Sequence, residues 1–454
     1  MMKFEVTRPI ATKSAHVRTL LKLAAPLIIN NLAIASIHFA DAVMAGRLGA
    51  ETLAAVAVGS SVWMLGFTLC MGILMAVSPI VSRLYGAGDI ASIGRYVRQA
   101  FWLSQMLAVF IFVAAFLFVR PVLTFIGIDP GFRDMTIGYV QAIMFGMPAM
   151  GLFLVSRFTT EGIGETRPIM YASLLSLACN VFGNWVFMYG NLGFPAMGAV
   201  GCGLASAISI WMMAFALGLH VLRGRRYRPL AILARFSLPR WQEIRELLGL
   251  GLPIAVTITA ESGLFSAVAI LTGTISAQIA AAHQIAINFA ATMFMIPLAL
   301  SSATTVLVGQ SLGAGDYATA RLRGWIGIGT SGVFMLTSAV FLVLFRTEVV
   351  DLYTNDVSVR DIAIGMLFMA AIFQVADGMQ IGAAAALRGY KDAKVPMVIN
   401  TFAYWVLAFP LAYLAAVTFR APPYYIWGGF VIGLTVAAAM LSLRYRSISN
   451  RYIA

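Results

Sequence analysis

The sequence predicts an all-α integral membrane protein whose twelve transmembrane helices form two parallel-repeat six-helix bundles around a central cleft. Three observations lead to this prediction: the apolar composition, the number of long apolar segments, and a repeat that relates the two halves of the chain. Hydrophobic residues make up 61% of the 454 residues and charged residues 11%, and the mean hydropathy is +0.89. Soluble domains carry about 25% charged residues, so this composition excludes a water-exposed globular protein.

A membrane-spanning helix needs about 20 mostly apolar residues, and twelve segments of the chain meet this requirement. In order, they lie near residues 20–45, 53–80, 97–119, 135–156, 168–189, 197–221, 246–271, 279–309, 324–345, 362–387, 396–418 and 423–443. No convincing cleavage site follows the first apolar segment, so we expect it to remain as the first helix. Prolines inside several of these segments predict kinks.

The basic residues lie mostly in alternate connecting segments, and this bias predicts the orientation of the chain. The N-terminus, the even-numbered loops and the C-terminus together hold 24 of the 31 Lys and Arg residues. Cytoplasmic loops are enriched in positive residues, so we expect both termini in the cytoplasm. The net charge of +13 is spread over these short loops, and it therefore does not indicate nucleic-acid binding.

The two halves of the chain carry similar segments at a constant separation. LYGAGD at 84–89 and SLGAGD at 311–316 lie 227 residues apart, and Pro26 and Pro253 end similar segments at the same separation. Six spans in each half give both repeats the same topology, so the expected symmetry axis lies along the membrane normal, as in some transporters. The expected parts are an N-terminal lobe at 1–221, a basic cytoplasmic linker at 222–245 and a C-terminal lobe at 246–454.

Two acidic side chains lie near the middle of predicted spans in the C-terminal lobe, Glu261 in the seventh span and Asp377 in the tenth. A charge at that depth costs about 2.5 to 3.5 kcal/mol on insertion scales, and such residues often mark ion pathways. Two close carboxylates need a proton or a cation between them. We therefore predict that the pair binds Na⁺ or a proton, and a protonated structural hydrogen bond is the alternative.

Asp41 lies in the first span, five residues before Gly46, and is expected to be either a coupling acid or a hydrated group near the outer interface. Asn180 and Asn184 lie one helical turn apart in the fifth span, so both amides can face an acid from the first span. His38 lies on nearly the same helix face as Asp41, which suggests a proton relay; packing is the alternative. Neither lobe repeats the acids of the other, so we expect their chemistry to differ.

Other polar residues are expected either to line the same cavity or to form hydrogen bonds between helices. They are Gln284 and Asn288 in the eighth span and Gln374 and Gln380 in the tenth. An acidic cluster of Asp351, Asp356 and Asp361 precedes the tenth span, as either a solvated loop face or a surface that attracts cations.

Several motifs make the chain similar to the multidrug and toxic compound extrusion (MATE) transporters, most closely to the NorM branch. These motifs are HFADAVMAGRLG, the repeated GAGD loops, GNLGFPAMGAVGCGLAS and LRGYKDAKVPM. The resemblance spans roughly residues 15–445 and implies an antiporter of the bacterial inner membrane that exports organic, mostly cationic, drugs and dyes in exchange for Na⁺ or H⁺.

The resemblance also implies roles for individual residues. It places cation binding at Glu261 and Asp377, a first-lobe site at Asp41 with its two asparagines, and ligand contact at Asp356. We expect a monomer surrounded by lipid, with no cofactor other than the coupling ion.

Other functions remain open at this point. A lipid-precursor flippase of the same superfamily is expected to have a basic central cavity, but no Lys or Arg is predicted at mid-span. A passive channel would not accumulate its substrate against a gradient. The sequence contains no Walker A motif, nucleophile elbow or His/Cys metal spacing, so we expect no enzyme activity.

Overall fold

The computed structural model describes residues 12–232 and 237–453, which form α-helices joined mainly by short loops. The helices of the first half are α1 (Lys13–Gly46), α2 (Ala50–Leu74), α3 (Val77–Gly86), α4 (Ile90–Phe125), α5 (Pro130–Met144), α6 (Met147–Ile163), α7 (Arg167–Phe187) and α8 (Gly198–Arg223). Those of the second half are α9 (Trp241–Ile275), α10 (Ala277–Gly313), α11 (Tyr317–Asp351), α12 (Val357–Gly389), α13 (Lys394–Phe402), α14 (Phe409–Tyr413) and α15 (Ile426–Arg451). No β-strand occurs in this described part of the chain.

The described helices include 11 that are long and apolar enough to cross a membrane, or 12 if the bent pair α5–α6 is counted as one span. This result confirms the predicted all-helical membrane fold. The pair is bent by 45°. Pro148 explains the bend, because its ring clashes with the carbonyl of the residue four positions earlier, Met144, where α5 ends.

The eleventh span departs from regular α-helix on both sides of α14. Its stretches Ala403–Ala408 and Leu414–Thr418 are π-helical. Short π-helical stretches are rare and occur frequently at functional sites. The first of them carries Tyr404.

The two GAGD loops have the same local structure, which explains why the motif repeats. Gly88 and Gly315 adopt φ values of 73° and 77°, a left-handed conformation that glycine adopts without steric cost. The Asp89 carboxylate then accepts a hydrogen bond from Ser92 N at 3.1 Å, and that of Asp316 accepts one from Thr319 N at 2.9 Å. Each aspartate thus caps the start of the next long helix, α4 or α11.

Packing divides the chain into two compact units. The N-terminal unit consists of Ala25–Tyr85 and Asp89–Ala255, and the C-terminal unit of the described residues of Met1–Ala24, Gly86–Gly88 and Val256–Ala454. The beginning of α1 thus belongs to the C-terminal unit, where Leu20 and Leu23 pack in one cluster with residues of α10. The beginning of α9 belongs to the N-terminal unit. The predicted lobe boundaries at 221 and 246 remain a prediction.

Candidate functional site

The carboxylates of Glu261 and Asp377 lie close together inside the C-terminal unit. Glu261 is half-buried on α9, and Asp377 on α12 is 4% exposed. The charge of Glu261 acts on Asp377, so the two carboxylates are near enough to interact electrostatically. Two such groups in an apolar interior need a proton or a cation to offset their repulsion.

A tyrosine and an arginine, neither of them predicted, accompany this carboxylate pair. Tyr404 is fully buried near both carboxylates, and its hydroxyl oxygen accepts a hydrogen bond from Gln380 Nε2 at 2.5 Å. Arg388, near the end of α12, exerts a favourable electrostatic interaction on Glu261. Arg388 lies at the end of its helix rather than at mid-span, and the sequence analysis did not connect it with the pair.

One face of α12 presents polar atoms that have no hydrogen-bond partner among the described residues. They are Asp377 Oδ1, Gln380 Oε1 and both polar atoms of the side chain of Gln374. These three residues follow each other at intervals of three, so they share one side of the helix. An unpaired buried polar group costs about 1 to 3 kcal/mol, and this face is therefore suited to bind water or an ion.

The donor set favours a hard monovalent ion or a proton over a transition metal. Among residues 12–232 and 237–453, no group of three or more His, Cys, Asp and Glu side chains could hold a metal ion. Two carboxylates, a phenol hydroxyl and amide oxygens are oxygen donors, which soft metals do not prefer. The residues present fit the predicted Na⁺ or H⁺ cargo.

Asp41 is buried in the N-terminal unit, at 5% exposure, rather than hydrated at a surface. Asn184 Nδ2 donates a hydrogen bond to its Oδ1 at 2.6 Å, and Ser206 Oγ donates one to its Oδ2 at 3.3 Å. Asn180 Nδ2 in turn donates to Ser206 Oγ at 3.1 Å, and Asn180 Oδ1 accepts from Asn184 Nδ2 at 3.2 Å. The predicted contact between the first-span acid and the two asparagines is thus present, with Ser206 as an unpredicted member.

A small cavity of about 60 Å³ adjoins Asp41, with His38 and Arg157 on its wall. This volume holds a few water molecules, since one water needs roughly 10 to 15 Å³ of such space. His38 is exposed and interacts electrostatically with Asp41. This arrangement is compatible with the proton-relay hypothesis, which remains a hypothesis.

The buried pair Arg157 and Glu161 corrects one expectation from the sequence. The predicted fourth span ends at residue 156, whereas α6 continues to Ile163 and includes both residues. Arg157 Nε lies 3.8 Å from Glu161 Oε2, and the side chains are only 10% and 2% exposed. The fourth span therefore contains a buried acid and a buried basic residue, both beyond its predicted end. Because Glu161 offsets its charge, Arg157 does not make the strongly basic cavity expected of a pyrophosphate-lipid flippase.

Three other predicted residues meet at a separate pocket of the C-terminal unit. Gln284, Asn288 and Asp356 line a pocket of about 330 Å³, together with residues of the loop between α11 and α12. The carboxylate of Asp356 caps α12 and accepts hydrogen bonds from Ser358 Oγ at 2.7 Å and Ser358 N at 2.9 Å. These bonds hold the pKa of Asp356 below its usual value, so the group stays negative at neutral pH.

The remaining predicted residues lie outside this pocket. Gln374 is fully buried on the Asp377 face of α12, so the predicted polar residues do not share a single cavity. In the acidic cluster, Asp351 forms an ion pair with Arg360, and the distance from Arg360 Nε to Asp351 Oδ1 is 2.6 Å. Asp361 is exposed on α12, and Asp356 lines the pocket described above.

Sequence reasoning missed Tyr404 and Ser206 for an identifiable reason. Tyrosine and serine are common in transmembrane helices, and neither residue stands out from an apolar segment as an acid does. The polar tyrosine in the segment NTFAYWVLAFP and the serine four residues after Cys202 are the available signals. Neither signal identifies a site residue until the structure shows that its helix packs beside an acid.

The family model described as MatE matches residues 26–186 and 253–414, two ranges that begin 227 residues apart. The predicted repeat is thereby confirmed.

Relatives cover nearly the whole chain. The chain is 38% identical to "Multidrug resistance protein PmpM" of Pseudomonas aeruginosa over 97% of its own length and 93% of that protein. It is 40% identical to "Probable multidrug resistance protein NorM" of Xanthomonas campestris over 97% and 96%, respectively.

Among solved structures, one described as "Crystal structure of MATE in complex with MaD3S" superposes with a TM-score of 0.88 at 21% identity, over 96% of this chain and 97% of the other. The eukaryotic MATE transporter AtDTX14 gives a TM-score of 0.87 at 18% identity, over 97% and 98%. At this identity the structures show a shared fold.

Proposed function

The chain belongs to the MatE family of multidrug and toxic compound extrusion transporters, and from this membership we propose that it is a secondary active multidrug efflux antiporter. It exports organic, mostly cationic, compounds in exchange for Na⁺ or H⁺ and works by alternating access. Relatives at 37 and 40% identity bear the names of multidrug resistance proteins. The proposed location is the bacterial inner membrane, with both termini in the cytoplasm and the protein acting as a monomer.

The observation that carries the proposal is the carboxylate pair of Glu261 and Asp377 beside Tyr404. An antiporter needs a group that holds either the coupling ion or the substrate charge, and two acids in an apolar interior can exchange these cations. When Na⁺ or H⁺ binds, the repulsion between the carboxylates is offset and the site no longer attracts a cationic drug. When the ion leaves, the pair again requires a positive charge.

The energy for export comes from the coupling ion moving inward. One charge gains about 2.3 kcal/mol per 100 mV of membrane potential. A tenfold concentration ratio contributes about 1.4 kcal/mol more. For a neutral compound, one inward-moving ion can therefore support a concentration ratio of about a few hundredfold. For a monovalent cation the two charge movements cancel, so one ion supports only the ion's own ratio, about tenfold, and a larger ratio needs more than one ion per drug molecule.

Two other sites are proposed to assist the exchange. Asp41, with Asn180 and Asn184, provides a second acid whose hydrogen bonds fix its position. The pocket of Gln284, Asn288 and Asp356 presents a negative charge to compounds at the outer ends of α10 and α12, where it can hold a cation during release. Both roles extend the proposal beyond the carboxylate pair.

Transport into proteoliposomes tests the proposal directly. Purified protein is reconstituted, a fluorescent organic cation is added, and Na⁺ and pH gradients are imposed in separate experiments. We expect the dye to accumulate against its own gradient under at least one of the two ion gradients, and ion movement in the opposite direction. Dye movement that only equilibrates the concentrations would indicate a passive channel and contradict antiport.

A further inference from the structure

Another pocket of the N-terminal unit lies beside the linker between α8 and α9. Its volume is about 490 Å³, which falls in the range of about 300 to 1,000 Å³ typical of ligand sites. Helices α4, α6 and α8 form its walls, and Ile232 and Ser237 of the linker border it. None of the residues discussed in the transport mechanism lines this pocket.

Hydrogen bonds from α4 fix the linker at the edge of the pocket. Arg98 Nη1 donates to the carbonyl of Ala231 at 2.9 Å, and Trp102 Nε1 donates to the carbonyl of Ser237 at 3.0 Å. The Gln99 side-chain oxygen accepts a hydrogen bond from the backbone N–H of Arg240 at 2.7 Å. These bonds hold Ala231, Ser237 and Arg240 of the linker against α4.

The lining has an apolar body and one positive group. Phe101, Leu152, Val221 and Leu222 contribute apolar surface, and Arg98 provides a guanidinium group. No Asp or Glu occurs among the described lining residues, so an organic cation would meet repulsion from Arg98. A ligand with an apolar tail and an anionic head complements this surface.

The surroundings strengthen the match to an anionic amphiphile. The chain between α8 and α9 begins with the basic run RGRRYR at residues 223–228, next to the lining residue Leu222. Basic pockets at the ends of membrane-spanning helices bind the headgroups of anionic lipids, which are enriched at the cytoplasmic surface. The apolar walls lie on helices long and apolar enough to cross the membrane, and Leu222 of the lining is 49% exposed on α8.

We propose that this pocket binds one phospholipid with an anionic headgroup. Its acyl chain lies between α4, α6 and α8, and its phosphate lies near Arg98 and the basic run. The bound lipid adds contacts to the wall that holds the linker. This site is independent of the coupling ion and of the exported drug.

Gly218 of α8 allows a precise test, because it lines the pocket and a Cβ atom added there would meet no protein atom within 4 Å. The substitutions Gly218→Leu and Gly218→Phe place an apolar side chain at this position of the pocket lining. Gly329 of α11 is the matched control, since a Cβ atom there also meets no atom within 4 Å and the residue lies outside the pocket.

Native mass spectrometry of the full chain in mild detergent measures the binding. Phosphatidylglycerol is titrated, and phosphatidylcholine with the same acyl chains serves as the comparison. We expect the wild type and Gly329→Phe to bind one phosphatidylglycerol molecule tightly. The affinity of the Gly218 variants for this lipid should be at least tenfold lower. Wild-type affinity in both Gly218 variants, checked as folded by gel filtration, would overturn the proposal.

The headgroup part of the proposal has its own test. We expect Arg98→Gln to weaken phosphatidylglycerol binding about fivefold, the factor that corresponds to about 1 kcal/mol for one Arg near an anionic lipid surface. Arg98→Lys keeps the charge and is expected to retain most of the affinity. Glycerol phosphate, which lacks acyl chains, should not compete. Equal binding of phosphatidylcholine, or displacement of the lipid by glycerol phosphate or by an organic cation dye, would contradict an anionic phospholipid site.

Discussion

Tyr404→Phe removes one hydroxyl from the carboxylate site and keeps the aromatic ring in place. In the wild type, this hydroxyl accepts the hydrogen bond from Gln380 Nε2 at 2.5 Å in a fully buried position. The variant leaves the Gln380 amide without this acceptor, and an unpaired buried polar group costs about 1 to 3 kcal/mol. We expect the free energy of unfolding to fall by an amount in this range.

The same substitution is expected to weaken the binding of the coupling ion. The hydroxyl lies near both carboxylates and is a neutral oxygen ligand available to a cation between them. Loss of one such contact is expected to reduce the ion affinity about tenfold, or about 1.4 kcal/mol. A ligand stabilises the folded state by RT ln(1 + [L]/Kd), so at high ion concentration the ion-dependent stabilisation falls by the same amount.

Thermal unfolding, followed by tryptophan fluorescence at several Na⁺ concentrations and pH values, separates the two effects. Tyr413→Phe, in the same span at 46% exposure, is the matched control and should change neither quantity. If Tyr404→Phe lowers the stability but leaves the ion-dependent increment at its wild-type value, the hydroxyl is structural and not an ion ligand. An unchanged stability would contradict the hydrogen bond itself.

Three further substitutions test other parts of the structure. Asn184→Leu removes the 2.6 Å hydrogen bond to Asp41, and we expect at least a tenfold loss of efflux in the vesicle assay; Asn191→Leu, outside the site, should transport normally. Asp356→Asn keeps a good helix cap but removes the charge, so KM for a cationic dye should rise several-fold. Because the lowered pKa keeps Asp356 ionised from pH 6 to 8, the ratio of the variant KM to the wild-type KM should be the same across this range, and a ratio that changes with pH would contradict the prediction. Gly94→Ala would place a carbon 1.8 Å from the carbonyl oxygen of Leu230, so protease sensitivity of the linker should increase, whereas Gly249→Ala, which meets open space, should leave it unchanged.

The fold was predictable from the sequence because a membrane imposes strong rules on composition and length. Long apolar segments, basic loops and the repeated GAGD motif each reflect a physical requirement, and each can be recognised from the order of residues alone. Gly88 and Asp89 illustrate this point, since a left-handed turn and a helix cap need these residue types. The bend between α5 and α6 was signalled only by Pro148, and the length of α6 was underestimated by the 20-residue rule.

The acids of the candidate sites and the two asparagines beside Asp41 were predictable from the sequence, whereas other members of these sites were not. A carboxylate inside an apolar helix has a high free energy of insertion into a membrane, so it is rarely present without a function. This argument identified Glu261, Asp377 and Asp41. Tyr404 and Arg388 act on the site through contacts between helices, which the sequence of one helix does not reveal. The polar residues expected in a single cavity lie in separate places, because position along a span does not give the direction of a side chain.

Antiport through the carboxylate pair is tested most directly by transport in the double variant Glu261→Gln, Asp377→Asn. Both substitutions keep side-chain size and hydrogen-bonding capacity, so the protein should fold and reconstitute as the wild type does. The variant is expected to lose dye accumulation driven by a Na⁺ or pH gradient, by at least a hundredfold in initial rate. Accumulation at the wild-type rate under either gradient would contradict a coupling role for Glu261 and Asp377.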